Sequence, residues 1–458
     1  MPDTRGNAIN VHDFIDRAKY STFQWIIFAI CLFIVILDGF DTAAIGYIAP
    51  SLMTEWHIAR PDLAPVLSAA LFGLAFGALC SGPIADRFGR KLVLLVSVAV
   101  MGAASIAAAY AADLQALTIW RFVTGLGLGA AMPNAVTLVA EYTPKSKRAF
   151  LTNAMFCGFP VGSAFGGFLA AWIIAHFGWR MVMLVGGVLP LLLTLAIVFN
   201  LPESVRYMAQ RRFPAHKIRK ALRRISPEAD NADSFYLKEP IAPSEAFTGD
   251  KAGIGLVLSR YFMLGTICLW LAYFSGLVIV YGLLNWMPVI FKASGIDQST
   301  AVVIAALFQL GGLGALASGW LMDRFNANYT VAFCYLLTSI LVYCIGQSIG
   351  SVGGLALVVF LAGTAMNTAQ VSMPTLAASF YPTRGRATGV SWMLGVGRFG
   401  GIAGTFMVAE LARRQFGFSE IFAVAAVPAG VAVVALLVKQ IAYRAEAAAE
   451  KAELSVLH

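Results

Sequence analysis

Twelve apolar segments, each about 20 residues or longer, divide the chain. A helix that crosses a bilayer needs about this length, and only a segment that satisfies its own backbone hydrogen bonds is stable in lipid. The sequence therefore predicts an all-α membrane protein with twelve transmembrane helices. The predicted spans lie near residues 24–48, 63–84, 92–111, 115–140, 150–176, 181–201, 262–290, 300–322, 330–349, 354–380, 387–411 and 420–443.

The composition agrees with a membrane protein. Hydrophobic residues make up 59% of the chain and charged residues 12%, against about 25% charged residues in soluble domains. The five histidines have no ligand-like spacing, and no phosphate-binding loop lies between a strand and a helix. We therefore expect no enzyme activity, no metal site and no cofactor.

The 33 lysines and arginines predict the orientation of the spans. If both termini are cytoplasmic, 26 of these residues lie in cytoplasmic segments and five in outside loops, while Arg121 and Arg398 lie within spans. This bias follows the positive-inside rule, and it explains the net charge of +9 without a nucleic-acid partner. Eleven of the basic residues lie between 206 and 260, where a patch for anionic lipids is the alternative to a plain cytoplasmic loop.

The two halves of the chain repeat each other. The segment Gly82–Phe88 recurs as Gly319–Phe325, and Pro144–Ala149 recurs as Pro382–Ala387, at nearly the same offset and in equivalent loops. Parallel six-helix repeats are typical of transporters whose site lies between the halves. The repeat predicts a six-helix bundle over residues 1–201, a cytoplasmic linker loop over 202–260 and a second six-helix bundle over 261–458.

Two motifs resemble those of the major facilitator superfamily. Gly82-x-x-x-Asp86-Arg87-Phe88-Gly89-Arg90-Lys91 resembles its signature loop, and Arg121-x-x-x-Gly125-x-Gly127-x-Gly129 resembles its fourth-span motif. Four narrower matches resemble the bacterial aromatic acid:proton symporters, most closely the 4-hydroxybenzoate and protocatechuate transporters. They are Asp38–Ala44, Ala130–Asn134, Leu201–Ser204 and Tyr381–Met393.

The resemblance implies a monomer in the bacterial inner membrane that imports an aromatic carboxylate together with protons. The protons act as the coupling ion. Alternatives that the sequence leaves open are a uniporter or exporter of another small organic anion, such as benzoate or nicotinate. A membrane sensor that binds its ligand without transport is a further alternative.

Asp38 and Asp41 are the first candidates for proton coupling, because a charged carboxylate at bilayer depth is costly unless it finds a polar partner or a proton. Their spacing places both on roughly one face of the first span. Arg121 should lie at the same depth as Asp41, so the two are predicted to form an ion pair. Protonation of Asp41 would break that pair; a static structural pair is the alternative.

Arg398 is the candidate for binding the substrate carboxylate. It lies near the middle of the eleventh predicted span, where a guanidinium without a partner is very costly, and arginine binds carboxylates through two donors. The nearest acid in a predicted span is Glu410, at the outer end. The alternatives are a permanent protein partner and a pairing with Asp38 or Asp41.

Aromatic and amide side chains within the spans complete the predicted substrate site. Aromatic side chains can stack on the ring of an aromatic acid, and amides can bond a ring hydroxyl. Plain packing and interhelical hydrogen bonds are the alternatives for each of them. The candidates are Asp38, Tyr281, Asn285, Trp286, Asn134, Gln309, Asn367 and Gln370, with Tyr273 as a weaker one.

Charged residues at the cytoplasmic ends of the spans predict a gate. Ion pairs and helix-end contacts there would hold the inner side closed, with a static topological role as the alternative. The gating candidates are Gly82, Asp86, Arg87, Gly89, Arg90, Glu141, Arg148, Asp323, Arg324 and Arg386.

Overall fold

The computed structural model describes residues 8–237, 254–312, 314, 326–348, 350–381 and 383–456, and most of these are helical. Two short strands are also present, β1 (Ala8–Asn10) and β2 (Ser234–Tyr236). The helices are α1 (Val11–Arg17), α2 (Thr22–Trp56), α3 (Ala64–Phe88), α4 (Arg90–Ala109), α5 (Leu114–Tyr142), α6 (Lys145–Phe156), α7 (Gly158–Phe177), α8 (Trp179–Asn200), α9 (Val205–Gln210), α10 (Ala215–Arg223), α11 (Ile254–Val257), α12 (Met263–Ala293), α13 (Gln298–Leu310), α14 (Ala327–Gln347), α15 (Val352–Phe380), α16 (Thr383–Arg413) and α17 (Phe418–Val456).

Within the described ranges, eleven helical stretches are long and apolar enough to cross a membrane. They match eleven of the predicted spans. The exception is the eighth span, predicted over 300–322. There the apolar helix α13 covers its first part, and residues 313 and 315–325 lie outside the described residues.

Side chains at the helix starts explain where several spans begin. Asp113 accepts a hydrogen bond of 2.7 Å from the Ala116 backbone at the start of α5. Asp297 does the same for α13 through the backbone of Ser299 and Thr300. Such caps satisfy amide groups that have no partner within the helix, so the turns between spans stay short.

The described helices form two compact units. The first unit comprises Met1–Thr42, Phe72–Gly162 and Arg180–Thr248, and the second comprises Ala43–Leu71, Ser163–Trp179 and Gly249–His458. Helices α2, α3 and α7 each contribute residues to both units. The division into sequence halves at residues 201 and 261 remains a prediction.

The segment predicted as a linker loop contains regular structure that belongs to the first unit. Helix α10 buries Ile218, Ala221 and Leu222 in an apolar cluster that also contains Phe23 of the first span. Strand β2 pairs in parallel with β1, so that Ala8 lies opposite Ser234. Burial of apolar side chains stabilises such short elements, which are marginal on their own.

The second unit is held together by close contacts between α12 and α16. The Trp286 indole of α12 donates a hydrogen bond of 3.0 Å to the Thr405 carbonyl of α16. A Cβ at Gly404 would overlap the Val278 carbonyl, so this glycine allows the two backbones to touch. Small residues at such crossings are the usual route to close helix packing in membranes.

Candidate functional site

Asp41 and Arg121 form a fully buried ion pair in the first unit. Arg121 Nη1 lies 2.8 Å from Asp41 Oδ2, and the two side chains are 0% and 1% exposed. Arg121 Nη2 also donates to the Asp41 backbone carbonyl at 2.9 Å. The ion pair predicted from their similar depth is therefore present, while its role in proton coupling remains a prediction.

Ser105 completes the surroundings of the Asp41 carboxylate. Its hydroxyl, on α4, donates a hydrogen bond of 2.8 Å to Asp41 Oδ1, and Ser105 itself is fully buried. Both carboxylate oxygens of Asp41 thus accept a bond. Ser105 on α4 and Arg121 on α5 thus hold the carboxylate from two neighbouring helices.

Asp38 lies one turn before Asp41 and is also buried. The Thr42 hydroxyl donates to Asp38 Oδ1 at 3.2 Å. The intervening Gly39 lies against α7, where a Cβ would overlap the Phe159 carbonyl. Gly39 therefore allows α2 and α7 to approach each other closely.

Two of the predicted gating side chains, Arg90 and Glu141, lie near each other at the start of α4 and the end of α5, and a third, Arg148, lies on α6. Arg90 Nε is 4.0 Å from Glu141 Oε1, and Arg90 Nη1 donates to the Ala85 carbonyl at 3.0 Å. Arg148 donates to the Thr143 carbonyl at 3.2 Å, so it supports the turn after α5. The distance between Arg90 and Glu141 is at the limit of an ion pair.

Glu203 is the main residue of this region that the sequence reasoning did not select. Its carboxylate accepts hydrogen bonds from the backbone of Arg90 at 2.8 Å and of Lys91 at 3.2 Å. The carboxylate thus caps the positive end of α4. Gly89, which has a φ of +94°, makes the turn that exposes these amides. The Leu201-Pro202-Glu203-Ser204 motif was the signal for this role.

The other gating candidates are less informative. Gly82 has open space where a side chain would start, and Arg87 is exposed with its guanidinium over the Phe88 ring. Residues Asp323 and Arg324 lie outside the described residues, as do the side chains of Asp86 and Arg386.

Arg398, in the second unit, has no carboxylate partner among the described residues. Glu410 does not fill that role, because its carboxylate bonds Arg413 and Arg414, each at 2.7 Å. The Tyr273 ring of α12 lies against Gly397, the neighbour of Arg398 in the chain. The guanidinium is thus available to an anionic ligand.

The predicted aromatic candidates divide into two groups. A Cβ at Gly401 on α16 would lie 2.6 Å from the Tyr281 ring, so this ring rests on the helix that carries Arg398. Asn285 and Trp286 instead bond Thr405, at 3.1 Å and 3.0 Å. Both are buried and tie α12 to α16, which is the packing alternative for these two residues.

The four amide candidates also differ. Asn134 bonds its own helix, at the Ala130 carbonyl, and Asn367 bonds the carbonyls of Phe308 and Gly363. Gln309 is 0% exposed, yet neither of its amide atoms has a hydrogen-bond partner among the residues that the structure describes. Within the same residues, Gln370 has one bonded and one unbonded amide atom.

The sequence profile of the Major Facilitator Superfamily matches residues 31–405 and 303–457. The chain belongs to this superfamily, and within it to the aromatic acid transporters, as the motifs predicted. It is a multi-pass membrane transporter with the all-α major facilitator fold, and it is not an enzyme.

Individual relatives make the relationship specific. The chain is 47% identical to the 4-hydroxybenzoate transporter PcaK of Pseudomonas putida, over 96% of this chain and 98% of that protein. It is 42% identical to a gallate transporter of Pseudomonas putida, over 94% of each chain. Among solved structures, a D-xylose-proton symporter superimposes with a TM-score of 0.68 at 17% identity, over 91% of this chain and 97% of that one, which shows the shared fold.

Proposed function

We propose that this chain imports aromatic carboxylates, such as 4-hydroxybenzoate or protocatechuate, together with protons by alternating access. The names of its relatives support the substrate class. The observation that carries the coupling to protons is the buried Asp41–Arg121 pair. A titratable carboxylate with a charged partner at membrane depth is typical of proton pathways in transporters.

Protonation of Asp41 is the coupling step of this proposal. The paired charges offset each other's burial costs, and removal of one charge leaves the other uncompensated. Neutral Asp41 would release Arg121, whose Nε already has no hydrogen-bond partner. The conformation favoured by the intact pair would then lose its advantage, and the transporter would change state.

Arg398 binds the substrate carboxylate in this proposal. Its guanidinium presents two parallel donors to an anion, and the Tyr281 ring on the facing helix lies against Gly401, about one turn from Arg398. Substrate binding would offset the cost of a cation at membrane depth. Asp38, which is buried one turn from Asp41, is proposed as an additional coupling or binding residue.

We further propose that the protein lies in the bacterial inner membrane as a monomer with both termini in the cytoplasm. The distribution of basic residues supports this orientation. Protons are the only coupling partner in the proposal, and it requires no cofactor.

Uptake into proteoliposomes tests the function. We expect labelled 4-hydroxybenzoate to accumulate above its outside concentration when the lumen is alkaline, and to equilibrate only when the gradient is collapsed. Equilibration with or without the gradient would indicate a uniporter, and movement only out of the lumen an exporter. Binding without any movement would indicate a sensor. Competition by benzoate and nicotinate would define the accepted acids.

A further inference from the structure

A row of polar side chains leads away from Arg398 in the second unit. The Tyr273 ring of α12 lies against Gly397, the neighbour of Arg398 on α16, and Gly276, one turn further along α12, lies against Gln370 Oε1 of α15. The Tyr335 hydroxyl of α14 donates a hydrogen bond of 2.9 Å to Gln370 Oε1. Four helices thus bring their polar groups to one place.

The hydrogen bond from Tyr335 fixes which way the Gln370 amide faces. A tyrosine hydroxyl can donate to the amide oxygen, and the amide nitrogen has only protons to donate. Because Tyr335 takes Oε1, Nε2 points to the opposite side. Nε2 is buried there and has no acceptor among the described residues. A buried donor without an acceptor is costly, so such groups usually serve a ligand or a second state.

Two glycines show that the arrangement is built closely. A Cβ at Gly276, one turn from Tyr273, would overlap Gln370 Oε1 and approach the Tyr335 hydroxyl to 2.7 Å. A Cβ at Gly397, next to Arg398, would overlap the Tyr273 ring. Only glycine lets the helix backbones lie this close to the amide and the ring.

We propose that Gln370 is the residue that reads a ring hydroxyl of the aromatic acid, with Nε2 donating to the phenolic oxygen. This inference rests on the proposed function, in which Arg398 binds the carboxylate of the same molecule. A site built to bond a hydroxyl discriminates against an analogue without it, because its polar group is then left unpaired. Tyr335 acts as a positioning residue that holds the amide.

The test compares 4-hydroxybenzoate, 3-hydroxybenzoate and benzoate by calorimetric binding to the purified full-length chain. Gln370→Met keeps the side-chain length and removes the donor. We expect its affinity for one hydroxybenzoate isomer to fall roughly 5- to 30-fold, which corresponds to about 1–2 kcal/mol for the one hydrogen bond that is lost. Its affinity for benzoate should stay within about twofold of that of the unmodified chain.

Gln309→Met tests the other buried amide of the predicted substrate site, which also has no bonded partner among the described residues. Gln347→Met is the control, because the Gln347 amide donates to the Ser419 hydroxyl at the end of α14. Its selectivity between the acids should not change. Tyr335→Phe is the second variant, and it frees the Gln370 amide to rotate. It should therefore weaken binding of the same hydroxybenzoate isomer more than binding of benzoate. This variant keeps the test valid if Gln370→Met does not fold.

Four results would overturn the inference. Equal losses for hydroxybenzoates and benzoate in Gln370→Met would make Gln370 a packing residue, and a selective loss in Gln309→Met alone would assign the reading to the other amide. If the unmodified chain binds all three acids, and neither Gln370→Met nor Tyr335→Phe changes these affinities, the inference is refuted and the proposed function stands. An unmodified chain that binds none of the acids would refute both.

Discussion

The Ser105 hydroxyl donates a hydrogen bond of 2.8 Å to the Asp41 carboxylate, although the residues lie on different helices and 64 positions apart. The other carboxylate oxygen faces Arg121. Asp41 is therefore held by side chains from two other helices. Any account of proton coupling at this site has to include the cost of breaking both bonds when Asp41 takes up a proton.

Asp41→Asn should abolish proton-driven accumulation of substrate, because the asparagine cannot take up or release a proton. Exchange of labelled for unlabelled substrate across the membrane should persist, since it requires no net proton movement. Uptake and exchange in proteoliposomes measure the two activities. Asp62→Asn, which changes an exposed acid, is the control and should behave like the unmodified chain. Accumulation at normal levels in Asp41→Asn would rule out Asp41 as the coupling group.

Arg398→Lys should weaken binding of aromatic carboxylates although the charge is kept. Lysine lacks the planar pair of donors, so about one charge-assisted hydrogen bond worth ~1.5–3 kcal/mol is lost. The dissociation constant should rise roughly ten- to hundredfold, and Arg398→Ala should be weaker still.

Calorimetry with 4-hydroxybenzoate and its uncharged amide separates the roles of Arg398. The amide should discriminate poorly between the unmodified chain and Arg398→Lys. Equal losses for acid and amide would show that Arg398 supports the fold, and undiminished binding of the acid would remove it from the site.

Glu203→Gln should slow the exchange between conformations and leave substrate affinity nearly unchanged. The carboxylate accepts bonds from the first amides of α4, and a neutral amide interacts less favourably with this positive helix end, by about 0.3–1 kcal/mol. Single-molecule fluorescence between labelled helix ends measures the exchange rate. Glu228→Gln, an exposed acid in the same segment, is the control. A large loss of affinity with normal exchange would place Glu203 outside the gate.

Asp297 should make the start of α13 sensitive to acid. The hydrogen bond from the Ser299 hydroxyl, helped by the Thr300 amide, holds the pKa of the Asp297 carboxyl below its usual value. Its stabilising effect is complete above the unfolded pKa of about 3.9. It is lost as the pH falls through the lower folded value. Thermal melting from pH 6 to pH 2.5 should therefore show a larger acid-induced loss in the unmodified chain than in Asp297→Asn, and parallel losses would contradict this.

The sequence predicted the relationships that depend on depth and periodicity. A charged Asp41 or Arg121 without a partner is costly in lipid. Their similar predicted depth in the membrane was therefore enough to predict that they pair. Ser105 gives no such signal, because a buried serine in a membrane helix usually bonds its own backbone and only the fold shows that it faces Asp41. Likewise, Gln370 was one of four similar amides until Tyr335 distinguished it.

Other interactions in the structure have no pattern along the chain that would predict them. Asn285 and Trp286 lie on the expected helix, yet their polar groups bond Thr405 on α16. Lys439 counted as a cytoplasmic residue, but it lies buried within the last span, where its ammonium bonds the Asn328 amide at 2.8 Å. Only the packed structure shows which neighbour each side chain meets.

The pairing of β1 with β2 constrains how the protein is made. Ala8 leaves the ribosome early, but its partner Ser234 follows more than 200 residues later, after six predicted spans have been synthesised. At about 5–20 residues per second, the first strand waits roughly 10 to 45 seconds for the second. The start of the chain is therefore among the last parts of the first unit to reach its final place.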